Sequence, residues 1–260
     1  FKGLGLLRRL KKAGIPRYTN ARNVRIEGDG AVEAVVFTVG RRNVRLGTTA
    51  VALHQGVVPN QQITRLLRCE HVFVGRQRCF APKVDEFYET SVANVFAVGD
   101  GAGIAGAVSA ELRGRLAALR IAGKAGKDVS EQQVSRLQSA LKRDFAVRPF
   151  LDMAYPPAEQ VLDPDDDVVV CRCEEITAGQ IRDAVDLGAP GPNQVKSYLR
   201  CGMGACQGRV CGLPVTEIIA AERNQTPADV DYFRIRPPLK PIPLADLATL
   251  DPEEVPLDPV

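Results

Sequence analysis

The 260-residue sequence lacks several features that would point to common partners and sites. No apolar run approaches the roughly 18 residues that cross a bilayer, so the sequence predicts no transmembrane segment. A net charge of +3 is too small to indicate a nucleic-acid partner. The two histidines, His54 and His71, have no partner at metal-ligand spacing and are interpreted as structural. There is also no C-x-x-C pair and no acid/base constellation, so we predict no catalytic residue and place substrate chemistry on another chain.

What remains is the composition of a globular protein with a concentrated group of thiols. An apolar content of 45% and a charged content of 25% are ordinary for a soluble domain. The length suggests one or two domains. Seven cysteines, an odd and clustered number, favour a reducing cytoplasm over a disulfide scaffold.

Five of the cysteines form two close-set groups separated by a long interval, which suits a metal site: Cys171, Cys173, Cys201, Cys206 and Cys211. Thiolate ligation indicates structural zinc or an iron–sulfur cluster. Zinc usually takes C-x-x-C pairs, and neither group has that spacing. Glycines in the second group allow the backbone to bend closely and to point amides at sulfur. The spacing favours a [2Fe-2S] cluster and leaves zinc and reactive or structural thiols as alternatives.

Two motifs in this region carry a resemblance to a known family. Cys171-Arg172-Cys173 is followed by Gly202-Met203-Gly204-Ala205-Cys206-Gln207-Gly208-Arg209-Val210-Cys211. This pattern resembles the [2Fe-2S] domain of the bacterioferritin-associated ferredoxin family, in the version fused to FAD-dependent opine oxidase and hydrogen cyanide synthase subunits. The resemblance implies Cys171, Cys173, Cys206 and Cys211 as ligands and leaves Cys201 over. Spacing alone does not decide this, since Cys201 and Cys206 are as far apart as Cys206 and Cys211.

A second informative stretch begins at Thr90. Val95 to Val98 predicts a buried strand with Gly99-Asp100 at its carboxyl end, followed by a glycine-rich turn and a helix whose apolar face carries Val108, Leu112, Leu116 and Leu119. Ligands of α/β folds bind at the carboxyl ends of strands, beside helix N-termini. Residues 101–106 match G-x-G-x-x-G, but another helix follows instead of a second strand, so we reject them as a pyrophosphate loop.

The same stretch resembles the second FAD motif of thioredoxin-reductase-like flavoproteins, T-S-x-x-x-V-F-A-x-G-D. The resemblance implies that FAD is bound here. Asp100, beside Gly99, would bond the ribitol chain, and Gly106 and Ala107 would lie near the flavin.

The N-terminal part resembles the end of the NAD(P)-binding domain in two-dinucleotide flavoprotein reductases. The pattern predicts a helix over 3–13, strands over 15–19, 24–26, 32–37 and 44–46, and an Asp-Gly hairpin turn at Gly28-Asp29-Gly30. The segment 48–60, with a strand over 49–53, resembles the crossing back to the FAD domain, ending in Gly56-Val57-Val58-Pro59-Asn60.

The predicted fold class is therefore α/β: the C-terminal part of a two-dinucleotide-binding flavoprotein fold, with a three-stranded meander and a partial FAD domain, followed by a small helical [2Fe-2S] domain. We predict five segments: 1–48, the remainder of an NAD(P)-binding-like domain; 49–125, the second half of the FAD domain; 126–165, a helical connector and linker; 166–225, the cysteine domain; and 226–260, a proline-rich tail.

In the cysteine domain, Thr177 to Gln180 indicates a capping box, Asn193 a helix cap, and a third helix starts near Cys211. The tail carries enough apolar residues that we expect it to pack against the flavoprotein domain or a partner subunit.

FAD also needs a first dinucleotide fingerprint, and the only match is the rejected one at 101–106. Because the chain opens at Phe1 without a Met, we expect it to be a fragment whose missing βαβ unit lies upstream.

The resemblance implies an electron-transfer flavoprotein subunit of an amino-acid or opine dehydrogenase or oxidase, passing electrons between FAD and a [2Fe-2S] cluster. A second FAD-containing dehydrogenase subunit would oxidise the substrate in a hetero-oligomer, and the electron acceptor is not identified. The alternatives are an NAD(P)H-dependent ferredoxin-type reductase and a non-catalytic interaction module that carries zinc or a cluster.

Overall fold

The computed structural model describes residues 2–249, which divide into two compact units at His54 and Gln55. The finer division at residues 48, 125, 165 and 225 stays a prediction.

The first unit is a helix followed by a three-stranded antiparallel meander in the order β1-β2-β3. Its elements are α1 (Lys2–Lys12), β1 (Ala21–Glu27), β2 (Ala34–Val39) and β3 (Arg42–Gly47). The predicted helix, hairpin and third strand are therefore present. The hairpin turn is wider than expected, because Glu27 pairs with Ala34 and leaves 28–33 as a loop. Gly28 in this loop has φ +154°, and a Cβ there would lie 1.8 Å from the Ala31 carbonyl oxygen, so only glycine fits.

Two short strands predicted in this region are wrong. Residues 15–19 and 49–53 run as irregular backbone, and neither segment has a ladder partner in the described range. A strand needs a hydrogen-bonded neighbour, and β-branched content alone does not supply one.

The second unit begins with a small hairpin and a set of helices. These elements are α2 (Gln62–Leu66), β4 (His71–Val74), β5 (Cys79–Pro82), α3 (Ala107–Lys124), α4 (Glu131–Phe145), α5 (Arg148–Ala154) and α6 (Glu159–Leu162). β4 and β5 pair in antiparallel fashion, and α3 packs against α4. We refer to residues 55–125 as the flavoprotein segment.

The prediction of a buried strand at Val95–Val98 is wrong. Phe96 makes only an isolated bridge with Glu89, and the Ala97 N–H donates to the Tyr88 carbonyl at 3.0 Å. Val98 is 39% exposed. Residues 95–97 form backbone hydrogen bonds with residues 88–90 on one side, and no described strand pairs with them on the other side.

The predicted inward face of α3 is also wrong in part. Leu116 is fully buried as expected, but Val108 is exposed, and the other buried residues are Ser109, Arg113 and Ala117. The buried face of α3 therefore includes the small polar side chain of Ser109 and the charged side chain of Arg113. Arg113 faces inward because it donates hydrogen bonds to the turn that precedes the helix.

The cysteine domain consists of β6 (Val169–Cys171), β7 (Ile176–Thr177), α7 (Ala178–Asp186), α8 (Pro192–Leu199) and α9 (Gly212–Glu222). The predicted capping box is confirmed: Thr177 accepts from the Gln180 N–H, and the Gln180 side chain accepts from the Thr177 N–H. The prediction that Asn193 caps α8 is wrong. Gly191 is the N-cap and Pro192 the first helical residue, while Asn193 Oδ1 accepts from the Arg234 N–H at 2.8 Å.

The tail begins as part of the cysteine domain's own core. After α10 (Pro227–Val230), the side chains of Tyr232, Phe233 and Ile235 are buried with α7, α8 and α9. This portion packs as expected, but its main neighbours are those of the cysteine domain and not, as predicted, the flavoprotein domain or a partner subunit; Phe80 is the buried flavoprotein residue in the same cluster. Beyond it, α11 (Leu244–Ala248) is exposed, with Leu244 at 82%. Residues 250–260 lie outside the described range.

None of the helices over residues 2–249 is both long and apolar enough to cross a membrane.

Candidate functional site

Three buried thiols meet at the centre of the cysteine domain. The Sγ atoms of Cys171, Cys201 and Cys211 all lie within 4.8 Å of one another. Cys171 ends β6, Cys201 follows the left-handed C-cap residue Arg200 of α8, and Cys211 is the N-cap of α9. Three separate elements therefore deliver one sulfur each. The trio includes two of the predicted ligands and also Cys201, which the resemblance leaves over.

The other two predicted ligands form a pair on the more exposed side. Cys173 is exposed and Cys206 is partly buried, and each thiol shifts the pKa of the other. Gly204 makes this pair possible, because a Cβ at that position would lie 2.2 Å from Cys173 Cβ. The pair and the trio are close enough to interact electrostatically. Cys206 raises the pKa of Cys211, and Cys171 raises the pKa of Cys173.

Backbone amides are directed at Cys206 and favour its thiolate. Burial raises the pKa of Cys206, but the N–H groups of Gly208, Arg209 and Val210 and the Cys173 thiol lower it by more, so the net shift is downward. The pKa of Cys173 is lowered by the Cys206 N–H, but it is raised overall by the Cys206 thiol and by burial. The neighbouring Cys201 thiol and burial raise the pKa of Cys211. Crowded thiols of this kind hold protons when no cation balances their charge.

The glycines of the cysteine loop (residues 201–211) are fixed by aromatic rings from the tail. A Cβ at Gly202 would lie 2.8 Å from Phe233, and one at Gly208 would lie 2.9 Å from the same ring. Both glycines also have positive φ, at +86° and +77°. Tyr232 donates its hydroxyl to the Gly208 carbonyl at 3.1 Å. The packing of Phe233 and the hydrogen bond from Tyr232 therefore fix the conformation of the cysteine loop.

These observations fit a [2Fe-2S] cluster. The donor set is sulfur alone, the sulfurs come from loops and element ends, and peptide N–H groups point at one of them. Iron–sulfur clusters are held by four cysteine thiolates and are tuned by such amide contacts.

The predicted FAD residues lie around the start of α3. Gly99 and Asp100 form a 3₁₀ turn, Gly99–Ala102, and the Asp100 side chain is exposed. Gly106 is the N-cap of α3 and Ala107 its first residue, and both are exposed. A Cβ at Gly106 would meet no atom within 4 Å, so a ligand has room beside the free amides of this 18-residue helix. The residues present therefore fit a polar ligand.

Sequence reasoning missed Arg113, which holds this turn in place. It is 4% exposed, and its Nη1 donates to the carbonyls of Gly99 at 2.8 Å and Gly103 at 2.6 Å. Its guanidinium lies over the rings of Tyr88 and Phe145. The only signal in the sequence is that Arg113 shares a helix face with Ser109, Leu116 and Ala117. The apolar residues Val108, Leu112, Leu116 and Leu119 indicated a different inward face.

The cysteine domain docks directly on the flavoprotein segment. Arg65 of α2 lies 4.8 Å from the centroid of the Phe80 ring and 4.7 Å from that of Tyr232. The same guanidinium pairs with Asp231 at 3.1 Å. Gln62 Nε2 donates to the Gln207 carbonyl in the cysteine loop at 3.1 Å. Contacts from one helix therefore reach both the loop and the tail behind it.

A second link joins Arg78, next to β5, to Glu217 of α9 by an ion pair. Glu217 is 4% exposed, and its burial raises the pKa of the carboxyl while Arg78 opposes the shift. The predicted turn residue Asn60 and Arg209 of the cysteine loop both line an open groove of about 710 Å³.

The sequence pattern also indicates structural roles for Cys69 and Cys79, and these two residues and His71 are packed or hydrogen-bonded, whereas His54 is exposed. His71 receives a hydrogen bond from the Thr64 hydroxyl at 2.9 Å and donates to the Cys69 carbonyl at 2.8 Å. Burial lowers the pKa of His71 to about 4, so the ring is neutral. Cys69 donates to Thr90, and burial raises the pKa of the Cys79 thiol to about 11.

Two family models match the chain. Residues 5–126 match the pyridine nucleotide-disulphide oxidoreductase family, and residues 169–221 match the BFD-like [2Fe-2S] binding domain. The predicted fold class and both predicted cofactors are thereby confirmed.

Similar proteins extend over nearly the whole chain. An opine oxidase subunit of Agrobacterium tumefaciens is 41% identical over 254 residues, covering 96% of this chain and 50% of the relative. Hydrogen cyanide synthase subunit HcnB of Pseudomonas aeruginosa is 30% identical, with 96% and 56% covered. Among solved structures, L-proline dehydrogenase from P. horikoshii superposes with a TM-score of 0.70 at 20% identity, over 95% of this chain and 48% of that one, which shows a shared fold. The chain spans about half the length of the curated relatives it matches.

Proposed function

We propose that this chain, a homologue of opine oxidase subunits that joins a pyridine nucleotide-disulphide oxidoreductase segment to a BFD-like [2Fe-2S] binding domain, is the electron-transferring part of an FAD-dependent amino-acid or opine oxidase. When bound, FAD handles electron pairs and a [2Fe-2S] cluster handles single electrons, so together they divide a two-electron oxidation into one-electron steps. The observation that carries the proposal is the direct docking of the cysteine domain on the flavoprotein segment through Arg65.

For the cluster, we propose Cys171, Cys173, Cys206 and Cys211 as the ligands. The first two come from β6 and the turn after it, and the last two from the cysteine loop and the start of α9. The N–H groups aimed at Cys206 would stabilise its thiolate once iron supplies positive charge. Tyr232 and Phe233 hold the loop in shape, so that its sulfurs are positioned before metal binds.

For FAD, we propose that Asp100, beside Gly99, accepts hydrogen bonds from the ribitol hydroxyls. The free amides of Gly106 and Ala107 would face the flavin ring at the positive end of the α3 dipole. Arg113 supports this geometry by donating hydrogen bonds to the carbonyls of Gly99 and Gly103, on both sides of the turn.

We further propose that substrate oxidation takes place on a second FAD-containing dehydrogenase subunit, in a hetero-oligomer. The relatives are named as subunits, of an opine oxidase and of a hydrogen cyanide synthase, which supports an assembly of more than one chain. A reducing, cytoplasmic location would suit the group of free thiols.

The test is the absorbance spectrum and iron content of the full-length protein purified without oxygen. We expect flavin bands together with a cluster absorbance, and about two irons per chain. A colourless protein that binds zinc would overturn the proposal in favour of an interaction module. Rapid bleaching of the flavin by NADH alone would favour an NAD(P)H-dependent reductase instead.

A further inference from the structure

The site holds five thiols where a [2Fe-2S] cluster uses four. The structure sorts the five into two groups: the buried trio Cys171, Cys201 and Cys211, whose sulfurs lie within 4.8 Å of one another, and the more exposed pair, Cys173 and the partly buried Cys206. Four cysteine ligands shared by two irons leave two for each. The exposed pair can satisfy one iron, and the trio then offers three sulfurs for the two positions on the other.

The surplus thiol therefore belongs to the buried side. Cys201 is as buried as its two neighbours, at 0% exposure against 1% for Cys171 and Cys211, and its Sγ lies within 4.8 Å of both. The backbone on both sides of Cys201 is constrained. Arg200 before it has a left-handed conformation, and Gly202 after it packs so closely against the Phe233 ring that a side chain there would clash. A thiol held this close needs only a side-chain rotation to replace a neighbour.

We propose that Cys201 is a reserve ligand on the buried side of the cluster, able to take the position of Cys171 or Cys211. This inference rests on the proposed [2Fe-2S] site. The exposed pair has no such reserve, because the fifth sulfur lies with the trio. The two sides of the site should therefore respond differently to the loss of one cysteine.

The test replaces single cysteines by Ala in the complete chain, with anaerobic reconstitution by iron and sulfide. Iron content, visible circular dichroism and the EPR spectrum of the reduced cluster are measured. C171A and C211A are expected to keep most of their iron, with altered EPR g-values because a different sulfur binds. C173A and C206A, the matched controls on the exposed side, should lose the cluster. The double variants C201A/C171A and C201A/C211A should lose it too, while C201A alone keeps it.

Far-UV circular dichroism checks that each variant folds, and if one buried-side variant does not, the other decides. Loss of the cluster from both C171A and C211A while C201A retains it would overturn the proposal. Loss of the cluster from the single variant C201A would also overturn the proposal, since Cys201 would then be a permanent ligand. Absence of a cluster from the wild-type chain would instead refute the proposed function.

Discussion

Replacing Phe233 by Ala is expected to destabilise the cysteine domain strongly, although Phe233 belongs to the proline-rich tail. The ring is 2% exposed and packs against Gly202 and Gly208, with Tyr232 on one side at a centroid distance of 5.8 Å. Removing a fully buried Phe typically costs about 3–5 kcal/mol, because the lost contacts leave a cavity. That corresponds to roughly a hundred- to a few-thousand-fold shift in the unfolding equilibrium.

The assay is urea unfolding followed by far-UV circular dichroism on the cluster-free and cluster-loaded chain. The Phe233→Ala variant should unfold at a much lower urea concentration and load iron poorly, since the cysteine loop loses its support. Leu244→Ala is the control within the same tail, because Leu244 is 82% exposed and should change stability by no more than about 0.5 kcal/mol. If the two variants are equally mild, the tail does not form part of this core and the reasoning is refuted.

Three further predictions concern the flavin site, the docking surface and the cysteine loop. In the full-length protein, Asp100→Ala should weaken FAD binding roughly ten- to a hundred-fold, since a charge-assisted hydrogen bond contributes about 1.5–3 kcal/mol; an unchanged dissociation constant would make the turn structural only. Burial raises the pKa of Glu217, so its contribution to the unfolding free energy should be complete below the ordinary value of 4.5 and be lost as pH rises through the raised pKa; urea titrations of Glu217→Gln should lack this slope. Gly204→Ala should abolish iron loading because its Cβ would overlap Cys173, whereas Gly114→Ala, in open space on α3, should load normally.

Features governed by local sequence were predictable. The capping box at Thr177 was confirmed because its hydrogen bonds join residues three apart in one helical turn. The N-terminal helix and meander followed from short-range periodicity. The two close-set groups of cysteines were visible in the sequence, but the structure brings together members of different groups, with Cys171 beside Cys201 and Cys211.

Features that depend on distant neighbours were not predictable. Val95–Val98 has a strand-like composition, but pairing is a property of two segments, and the described chain supplies only an isolated bridge. Arg113 faces inward because carbonyls of a preceding turn receive its hydrogen bonds, and a hydrophobic pattern cannot indicate that. The place of Cys201 in the buried trio depends on how α8 ends, which spacing between cysteines does not show.

The central claim is that electrons pass between FAD and a [2Fe-2S] cluster held by this chain. The most direct measurement is stepwise anaerobic photoreduction of the purified, cofactor-loaded protein, with visible and EPR spectra recorded on the same samples. We expect the EPR signal of the reduced cluster to grow as electrons enter the flavin, and both cofactors to be reoxidised together. A protein with full iron and flavin content whose flavin becomes completely reduced while no cluster signal develops would contradict it.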